Sequence, residues 1–485
     1  MYSSTKLVVL AVVGVVLTVL GGGMIKVFST MIHDKISEKV RLTNGSESFD
    51  IWKDMPVPIY MQFWIFHVKN PLEITRDGAK PSVEQKGPYT YREYRQKHNI
   101  TFHSNGTISY VPTRTYTHEP KMSVGSEDDT ITSLNMPMLT VASYIKYEPT
   151  WLKVLASLGL AVLNETVFVN HTVKEWLWGY EDPMLKDIHD LLPNLVPDSH
   201  FGFFYGPPSG NLSRDGLYTV DSGSADVHQV AEIEKYNGVS HLDYWKSDYC
   251  NMINGTDGSI YGPFVKKTDK MRLFSSDICR SLYMQYEQDT TIEGINLFRF
   301  TAPAAIFANA NVNPDNECYC MPCLGAGLLN ISICKQGAPV VVSAPHFYEG
   351  DPKFSKAIDG LHPVKSEHET FMDIEPLTGL AMRLMRRMQV NTFIEHIEFI
   401  SQTKNLKPTF FPLVWLNESA KADAASIDKF KTEVKLPILL MTIGQYFVLS
   451  LGILILVVTA SLLLVGLSSR TVPDEPLLPD VAGDQ

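Results

Sequence analysis

The run LPILLMTIGQYFVLSLGILILVVTASLLLVGL, which spans Leu436–Leu467, contains no charged side chain. It is longer than the about 20 apolar residues that a helix needs to cross a bilayer. A second uncharged run, Leu7–Ile25, is bracketed by Lys6 and Lys26. The two runs predict that the chain crosses a membrane near each end. The long stretch between them then lies on one side of that membrane.

The N-terminal run has a second interpretation, a cleaved signal peptide. The nearest candidate for a small-residue cleavage site is Gly21-Gly22-Gly23, and the run is long for a signal peptide. We therefore interpret it as an uncleaved anchor. The predicted organisation is a cytosolic tail (1–6), a helix (7–25), a lumenal ectodomain (26–442), a second helix (443–467) and a second cytosolic tail (468–485).

Composition narrows the class of protein. The chain has 485 residues and a formal net charge of -11, and 45% of its residues are hydrophobic and 11% aromatic. The aromatic content favours a folded domain over a disordered chain. The acidic balance argues against nucleic acid as a partner.

Nine N-x-[ST] glycosylation acceptors all lie between the two apolar runs. A single match is often an ordinary surface asparagine, but nine in one interval indicate a lumenal or extracellular surface. The candidate glycosylation sites are Asn44, Asn99, Asn105, Asn164, Asn170, Asn211, Asn254, Asn330 and Asn417.

Several runs rich in aromatic and β-branched residues predict strands. Prolines recur within them and suit sheet edges and bends. The runs are Met61–Asn70, Thr107–Thr117, those that begin at Gly87, Leu297, Ala338 and Thr392, and one that ends at Leu416. Many strands with one helical insertion predict a β-rich α+β ectodomain that is barrel-like. The polar segment Lys421–Val434 is helix-permissive and leads into the second span.

The helical insertion is predicted within residues 148–194. Trp151–Leu163 is apolar except for one lysine and one serine. Thr172 and Glu175 have the spacing of a capping box, and Asp182-Pro183 is a start signal for a third helix. A helix that is apolar nearly all round must be covered. Composition alone favours burial in the core over a partner or a lipid face.

All six cysteines lie in the predicted ectodomain: Cys250, Cys279, Cys318, Cys320, Cys323 and Cys334. An even count beside glycosylation acceptors favours three disulfides, although many pairings are possible. The last four could instead hold zinc as thiolates. Cys320 and Cys323 could form a redox pair, but no βαβ pattern surrounds them. We expect disulfides, no metal and no cofactor.

Catalytic motifs are missing from the sequence. It contains no GxSxG, no HExxH and no phosphate-binding glycine loop, and His368-Glu369 lacks the second histidine of a zinc motif. We expect a protein that is not an enzyme. The basic runs Lys266–Arg272 and Arg383–Arg387 could meet anionic ligands, but such runs are more often solvated, and we assign them no role.

Several long blocks resemble the class B scavenger receptor family, and in particular its lysosomal member. They occur in the family's order over nearly the whole chain, both spans included. The blocks are Gln62–Pro71, the GPYTYREY segment from Gly87, Cys250–Gly258, Cys323–Cys334, Pro345–Asp351, Asp373–Gly379 and Pro412–Ser419.

The resemblance implies a barrel-like ectodomain crossed by a lipid tunnel, with the helical bundle at its membrane-distal apex. It also implies the pairing Cys250–Cys318, Cys279–Cys334 and Cys320–Cys323. The last two cysteines are closer in sequence than in relatives, with only Met321 and Pro322 between them. Asn330 matches a glycan site of the family.

The resemblance further implies a receptor of lysosomal and late-endosomal membranes. The lysosomal member carries the acid hydrolase β-glucocerebrosidase, which it binds near neutral pH and releases in acid. By this resemblance, we expect the chain to bind such a hydrolase and to pass sterol or phospholipid through its barrel. The alternative is a plasma-membrane scavenger receptor for lipoproteins, fatty acids or anionic ligands. In the first case Trp151, Leu152, Leu155 and Leu158 would bind the hydrolase.

His171 matches the position of a pH-sensing histidine in the family. A histidine side chain ordinarily titrates near about pH 6.5, between the pH of secretory compartments and that of lysosomes. Its other interpretation is an ordinary surface residue within the acceptor Asn170-His171-Thr172. A second family histidine is absent, because Thr150 stands at its position.

The C-terminal tail carries a candidate sorting signal, Asp474 with Leu477 and Leu478. An acidic residue ahead of paired leucines suits cytosolic sorting adaptors. The lysosomal member has one more residue between the acid and the leucines, so the adaptor is expected to differ. The alternative interpretation is an unstructured polar tail.

Overall fold

The computed structural model describes residues 4–191, 193, 196, 198–205 and 212–468. It divides into two compact units, one made of the chain ends (through Glu38 and from Ala424) and the other of Lys39–Asp423. The folded middle unit is thus shorter than the predicted ectodomain of 26–442, because the terminal helices extend beyond the uncharged runs. The position of the membrane boundaries within these helices stays a prediction.

The helices were assigned as follows. The α-helices are α1 (Ser4–Val40), α2 (Glu47–Lys53), α3 (Pro71–Asp77), α4 (Met136–Ile145), α5 (Thr150–Val162), α6 (Val173–Trp178), α7 (Pro183–Leu191), α8 (Asp248–Asn251), α9 (Pro352–Lys356), α10 (Lys365–His368), α11 (Ala424–Phe430) and α12 (Leu436–Ser468). Short 3₁₀ turns span Pro120–Met122, Val227–Gln229, Ala304–Phe307, Pro314–Tyr319, Ser332–Cys334, Pro345–Phe347 and Ser401–Thr403, and a π-helical turn spans Lys431–Lys435.

The strands are β1 (Ile59–Val68), β2 (Val83–Phe102), β3 (Thr107–His118), β4 (Thr130–Leu134), β5 (Phe168–Thr172), β6 (Tyr180–Glu181), β7 (His200–Phe201), β8 (Leu212–Arg214), β9 (Tyr218–Asp221), β10 (Ile233–Tyr236), β11 (Met271–Ser275), β12 (Arg280–Ile292), β13 (Ile295–Thr301), β14 (Leu329–Asn330), β15 (Val341–Ser343), β16 (Phe371–Ile374), β17 (Ala381–Ile394) and β18 (Thr409–Lys421).

The unit of chain ends contains the two predicted spans. Its two long helical segments, Thr5–Val40 and Ala424–Val465, are long and apolar enough to cross a membrane. An 18-residue stretch of the first has a mean hydropathy of 2.6, and one of the second has a mean hydropathy of 2.9. The two predicted spans are confirmed to this extent. The helices approach closely at glycines: a Cβ on Gly21 would lie 2.6 Å from the backbone of Leu449. Small residues allow such close approach of apolar helices.

The middle unit is built on one antiparallel sheet. Among the described residues fourteen strands belong to it, and the main path runs β10-β9-β3-β2-β1-β18-β17-β16-β13-β12-β11, with β8 beside β3 and β14-β15 beside β17. The first and last strands of that path both donate hydrogen bonds to the same short segment, Gly255-Thr256. Ile233 of β10 donates from its N–H to the Gly255 carbonyl, and Phe274 of β11 donates to the Thr256 carbonyl. This segment nearly closes the sheet into a barrel, which confirms the barrel-like α+β prediction.

The predicted strands differ from the observed ones mainly in their ends. The run from Thr392 was predicted as a strand of its own, but only Thr392–Ile394 is extended, as the end of β17. The run from Ala338 contains only the short β15. In both, a 3₁₀ turn follows, at Ser401–Thr403 and Pro345–Phe347. Apolar content alone therefore did not distinguish strand from buried turn.

Four helices, α4–α7, form the helical insertion, where the sequence predicted three. Thr172 and Glu175 form the expected capping box at α6: each side chain accepts a hydrogen bond from the other residue's backbone N–H. The missed helix is α4, which Pro137 opens at its first turn. It packs against α5 and α7. A buried Trp176 joins this region to β4 by donating from Nε1 to the Ile131 carbonyl at 3.0 Å.

Candidate functional site

The barrel encloses a cavity with an empty volume of about 1620 Å³, part of it open to solvent. One part of its wall is apolar and includes Leu282, Met284, Ile306, Phe307 and Met388. Another part carries charged side chains from several strands. Such a wall, with one apolar and one polar part, suits an amphiphilic molecule.

The charged part of the wall belongs to an alternating series of ion pairs, which we call the ion-pair layer and of which all members except Glu93 line the cavity. Its members are Glu93, Arg95, Glu418, Arg386, Asp277, Arg114 and Asp215, each paired with the next in that order. Arg95 donates to Glu418 at 2.9 Å, and Arg114 donates to Asp215 at 3.1 Å. Two pairs of adjacent strands, β2 with β3 and β17 with β18, supply five of these side chains. The other two, Asp215 and Asp277, lie between β8 and β9 and between β11 and β12.

Charge pairing governs the ionisation of the carboxylates in this layer. Burial by itself would raise the pKa of Asp277, but the positive charges of Arg114 and Arg386 outweigh it and lower the pKa. The pKa of Glu418 is likewise lowered, because Arg386 and Arg95 outweigh the effect of burial. Both carboxylates therefore remain ionised at neutral and mildly acidic pH.

Sequence reasoning missed the ion-pair layer. Glu93, Arg95 and Lys97 alternate along β2, and such alternation usually marks a solvent-facing strand. Arg386 lies in a basic run to which we assigned no role. One sequence signal could have revealed the layer. The strands β2 and β3 are long and polar on both faces, and one of the two faces has to point into the barrel.

A second missed feature is a stacked pair of buried histidines beside the cavity. The His346 and His368 rings lie 4.4 Å apart, nearly parallel. The His362 N–H donates to His346 Nδ1, and the Val364 N–H donates to His368 Nδ1, both at 2.9 Å. Burial lowers the pKa of His346 to about 3 and that of His368 to about 4. Both rings are therefore neutral near pH 7.

The α5 helix exposes an apolar stripe. Trp151, Leu155, Leu158 and Val162 follow one another at helical spacing and are all exposed, Trp151 by 67% and Leu158 by 60%. Leu152, the fourth predicted contact residue, is only half-buried. The expectation from composition, a fully packed core helix, is therefore wrong for this face. A contiguous exposed apolar patch of this kind is typical of interaction sites.

The opposite face of α5 is attached to the rest of the unit. Leu160 is 3% exposed and belongs to the main hydrophobic core. The Ser401 N–H donates to the Ser157 hydroxyl at 3.1 Å. Thr150, which replaces a family histidine, is the exposed first residue of the helix. The helix is thus fixed on one side and apolar on the other.

His171 lies on β5, next to this helical region. Its ring stacks on Tyr180 with centroids 3.7 Å apart, and its Nδ1 lies 3.5 Å from a Glu175 carboxylate oxygen. Burial lowers the pKa of His171, and the nearby Glu175 charge only partly opposes this. Burial raises the pKa of Asp182 and Glu165. All three groups take up protons as the pH falls, so this region becomes more positive in acid.

The cysteines are paired in the structure. Cys250 is bonded to Cys318, Cys279 to Cys334, and Cys320 to Cys323, which are the pairs that the resemblance implied. Cys250, Cys279 and Trp245 form a small core with Ile278 and Leu329. No group of three metal-ligating side chains occurs among the described residues.

The glycosylation acceptors differ in exposure. Asn254 and Asn330 are half-buried. Asn417 is buried, and its amide donates to Gln62 at 3.0 Å, so the prediction of a glycan there conflicts with the fold. Asn211 lies outside the described residues, as does the sorting signal Asp474, Leu477 and Leu478. The exposed acceptors are Asn44, Asn99, Asn105, Asn164 and Asn170.

Comparison with known proteins assigns the family. The family model described as the CD36 family matches residues 12–463. Scavenger receptor class B member 1 of Rattus norvegicus is 40% identical over 450 residues, which cover 93% of this chain and 87% of that protein. Lysosome membrane protein 2 of Homo sapiens is 40% identical over 433 residues, 88% of each chain.

This chain is therefore a member of the CD36 family, as the sequence blocks indicated. It is as similar to the scavenger receptors as to the lysosomal protein, at 40% identity in both cases. Identity alone does not choose between the two functions that those names represent.

Proposed function

We propose that the protein is a receptor of lysosomal and late-endosomal membranes that binds an acid hydrolase resembling β-glucocerebrosidase and conducts lipid through its barrel. The hydrolase would bind near neutral pH and dissociate in acid. Cytosolic sorting adaptors would direct the receptor. The observation that carries the proposal is the exposed apolar stripe of α5. A contiguous apolar patch in contact with water is unfavourable and is typical of a surface that a partner covers.

The cavity supports the lipid part of the proposal. Its apolar wall would take the hydrocarbon part of a sterol or phospholipid, and its polar wall the oxygen-bearing end. Most of the barrel strands are hydrogen-bonded to a neighbouring strand on both sides.

Hydrolase binding is tested with the purified full-length protein and β-glucocerebrosidase at about pH 7 and about pH 5. We expect binding at the higher pH only, and loss of binding when Trp151→Ser and Leu155→Ser are combined. The control is Leu72→Ser, an equally exposed apolar residue on α3, which should bind normally. Equal binding by the double variant and the control would contradict the proposed contact face.

His171 is proposed as the pH sensor. Protonation would place a positive charge beside Tyr180 and Glu175, at the edge of the helical region. With His171→Gln, we expect hydrolase binding to lose much of its decrease between about pH 7 and about pH 5. An unchanged pH profile would assign the response to other groups, of which Asp182 and Glu165 are the nearest candidates.

The alternative function is a plasma-membrane scavenger receptor, which the similarity to scavenger receptor class B member 1 supports equally. The cellular location of the protein distinguishes the two functions. We expect the protein in lysosomes, and the combined change Leu477→Ala and Leu478→Ala should move it to the cell surface. Wild-type protein found mainly at the surface would favour the alternative.

Both functions require a glycosylated ectodomain outside the cytosol. Removal of N-linked glycans should increase gel mobility, and Asn→Gln changes at the five exposed acceptors should reproduce most of that increase. A protease added to the cytosolic side of intact vesicles should spare residues 39–423. Digestion of that unit would contradict the two-pass topology.

A further inference from the structure

The short segment that precedes α10, residues 362–364, is held by the stacked histidine pair, and we call it the strap. The His362 N–H donates to His346 Nδ1, and the Val364 N–H donates to His368 Nδ1. The proline between these two residues has no N–H, so both N–H groups of the strap are donated to ring nitrogens. A ring nitrogen accepts a hydrogen bond only while it carries no proton. The strap is therefore held by two histidines in their neutral form.

The surrounding side chains fix which nitrogen of His346 faces the strap. Its Nε2 donates to the Gln85 side-chain oxygen, which also accepts from Trp415 Nε1 at 2.7 Å. The His346 backbone N–H donates to the Gln389 side-chain oxygen at 2.7 Å. His368 stacks on this ring and meets Trp415 edge to face. The His346 ring therefore cannot offer its other nitrogen to the strap without losing its hydrogen bond to Gln85.

The charged groups around the pair oppose a positive charge on either ring. Arg387 of β17 and His362 of the strap both disfavour proton uptake by the pair. Lys365, just after the strap, is paired with Glu287 and Glu369. The side chains that face the rings from β1, β2 and β18 are the uncharged Phe66, Gln85 and Trp415. A proton taken up by one ring thus lies beside positive groups and beside the second ring.

The histidine pair also forms part of the cavity boundary. His368 lines the cavity, as do Glu369 and Thr370 directly after it, and Tyr348 and Glu349 just after the other histidine. Burial raises the pKa of Glu349 and of Glu369. These two carboxylates therefore lose negative charge as the pH falls and do not offset a charge gained by the rings. Release of the strap would free a stretch of chain that is continuous with this side of the wall.

We propose that the strap is a pH-sensitive closure of the cavity: in acid the histidine pair takes up protons, both hydrogen bonds to the strap are lost, and this side of the cavity opens. In the released form the rings are in water, where the pKa of a histidine is about 6.5. Burial holds the pKa of His368 at about 4 in the closed form. By linkage, this one histidine favours the released form about 20-fold more at about pH 5 than at about pH 7.

The strap would regulate access to the lipid site, and in that respect the inference rests on the proposed function. It adds a response to pH at the cavity, far in sequence from His171. The response also has a different origin. At His171 protonation changes the charge of a surface region, whereas at the strap it removes the two acceptors that hold a segment of backbone.

Hydrogen–deuterium exchange of the purified full-length protein in detergent tests the strap. It is measured without added lipid at about pH 7 and about pH 5, with labelling times scaled to the pH dependence of the chemical exchange rate. We expect the protection of the His362 and Val364 amides to fall about tenfold or more at the lower pH. Unchanged protection would overturn the inference.

Low denaturant separates release of the strap from unfolding of the whole unit. A local opening exposes little surface, so about 1 M urea should leave the protection of the strap amides nearly unchanged at both pH values. The same urea should accelerate exchange in the central strand β17, whose amides are exposed by global unfolding. If urea accelerated exchange equally in the strap and in β17, the strap would open only with the whole unit, and the inference would be wrong.

Variants of the pair test its role. In the combined change His346→Asn and His368→Asn, the amide oxygens can accept from the strap but do not titrate, so we expect equal protection at both pH values. His368→Leu removes one acceptor and should expose the Val364 amide at about pH 7 as well. The control is the exposed His241→Asn, which should behave like the wild type. A fall in acid that persists in the double variant would contradict the inference, and if that variant does not fold, the wild type and His368→Leu still decide.

The outcomes distinguish this inference from the proposed function. Unchanged protection in acid, together with normal binding of radiolabelled cholesterol, would overturn the pH-sensitive closure and leave the lipid function standing. A strap that is released in acid, in a protein that binds no cholesterol or phospholipid at either pH, would support the closure and contradict the lipid function.

Discussion

The ion-pair layer and helix α5 reverse the usual distribution of residues in opposite ways. In the barrel, charged groups such as Arg95 and Glu418 are removed from solvent, whereas on α5 Trp151 and Leu158 are exposed to it. Charges are rarely buried unless they are paired, and large apolar patches are rarely exposed. Neither arrangement is favoured by stability, which supports the proposal that each region binds a ligand or a partner.

The two regions also differ in how much they are coupled to the fold. Every member of the ion-pair layer is paired with an opposite charge of the layer, so removal of one leaves a charge without its partner. The apolar stripe of α5 has solvent on its outer side, so its side chains can be changed without disturbing the core. Mutations should therefore affect stability in the first region and binding in the second.

The largest effect is expected for Arg95→Met. It leaves Glu93 and Glu418 without their shared partner, and loss of one member of a buried pair costs about 3–5 kcal/mol of unfolding free energy. The control is Lys80→Met, whose partner Asp359 is exposed, with an expected loss below about 1 kcal/mol. Denaturant unfolding followed by tryptophan fluorescence measures both. Similar losses would remove the distinction between buried and exposed pairs.

Leu160→Ala and Leu158→Ala compare the two faces of α5. Leu160 is 3% exposed and Leu158 is 60% exposed. Leu160→Ala should lower the unfolding free energy by about 2–5 kcal/mol, because it removes core contacts. Leu158→Ala should change it by less than about 0.5 kcal/mol but weaken hydrolase binding about tenfold. If Leu158→Ala destabilised the protein as much, the helix would be buried in solution.

Stability should also fall in acid, through the stacked histidines. The pKa of His368 is about 4 in the folded protein, against an ordinary value of 6.5. The unfolded chain therefore binds the proton more readily, and stability is lost as pH falls from 6.5 towards 4, by about 1.4 kcal/mol per pH unit for one group. Protonated Nδ1 would no longer accept the Val364 N–H.

His368→Asn keeps an acceptor for Val364 and removes the titration. Between pH 6.5 and 4, we expect the slope of unfolding free energy against pH to become shallower by up to about 1.4 kcal/mol per pH unit. The positive groups that face the pair are Arg387, and His362 when it is protonated. The control is the exposed His241→Asn. An unchanged slope in His368→Asn would show that the pair does not couple protonation to folding.

The smallest effect is expected for Ser157→Ala, which removes the hydrogen bond from Ser401 to α5. The loss should be about 1 kcal/mol of unfolding free energy, the usual net contribution of one such bond. No measurable loss would mean that α5 is attached by its apolar contacts alone.

Local signals allowed much of this structure to be predicted. The apolar runs gave the two long terminal helices, and Thr172 with Glu175 gave the start of α6, because each pattern involves residues close in sequence. The apolar face of α5 was also visible, but its composition favoured burial in the core, whereas the structure exposes it. Whether Leu158 or Leu160 faces solvent depends on which neighbours pack there.

The sequence by itself determined the two long terminal helices, most of the long strands and which of their residues share a face. Only the tertiary structure decided which face is inside. In β2 the alternation of Glu93, Arg95 and Lys97 would be the same on a solvated sheet, since the side-chain period is a local property of the strand. The curvature that brings Arg95 to Glu418 and Arg114 to Asp277 arises from pairings distant in sequence, and these set where the charges are enclosed.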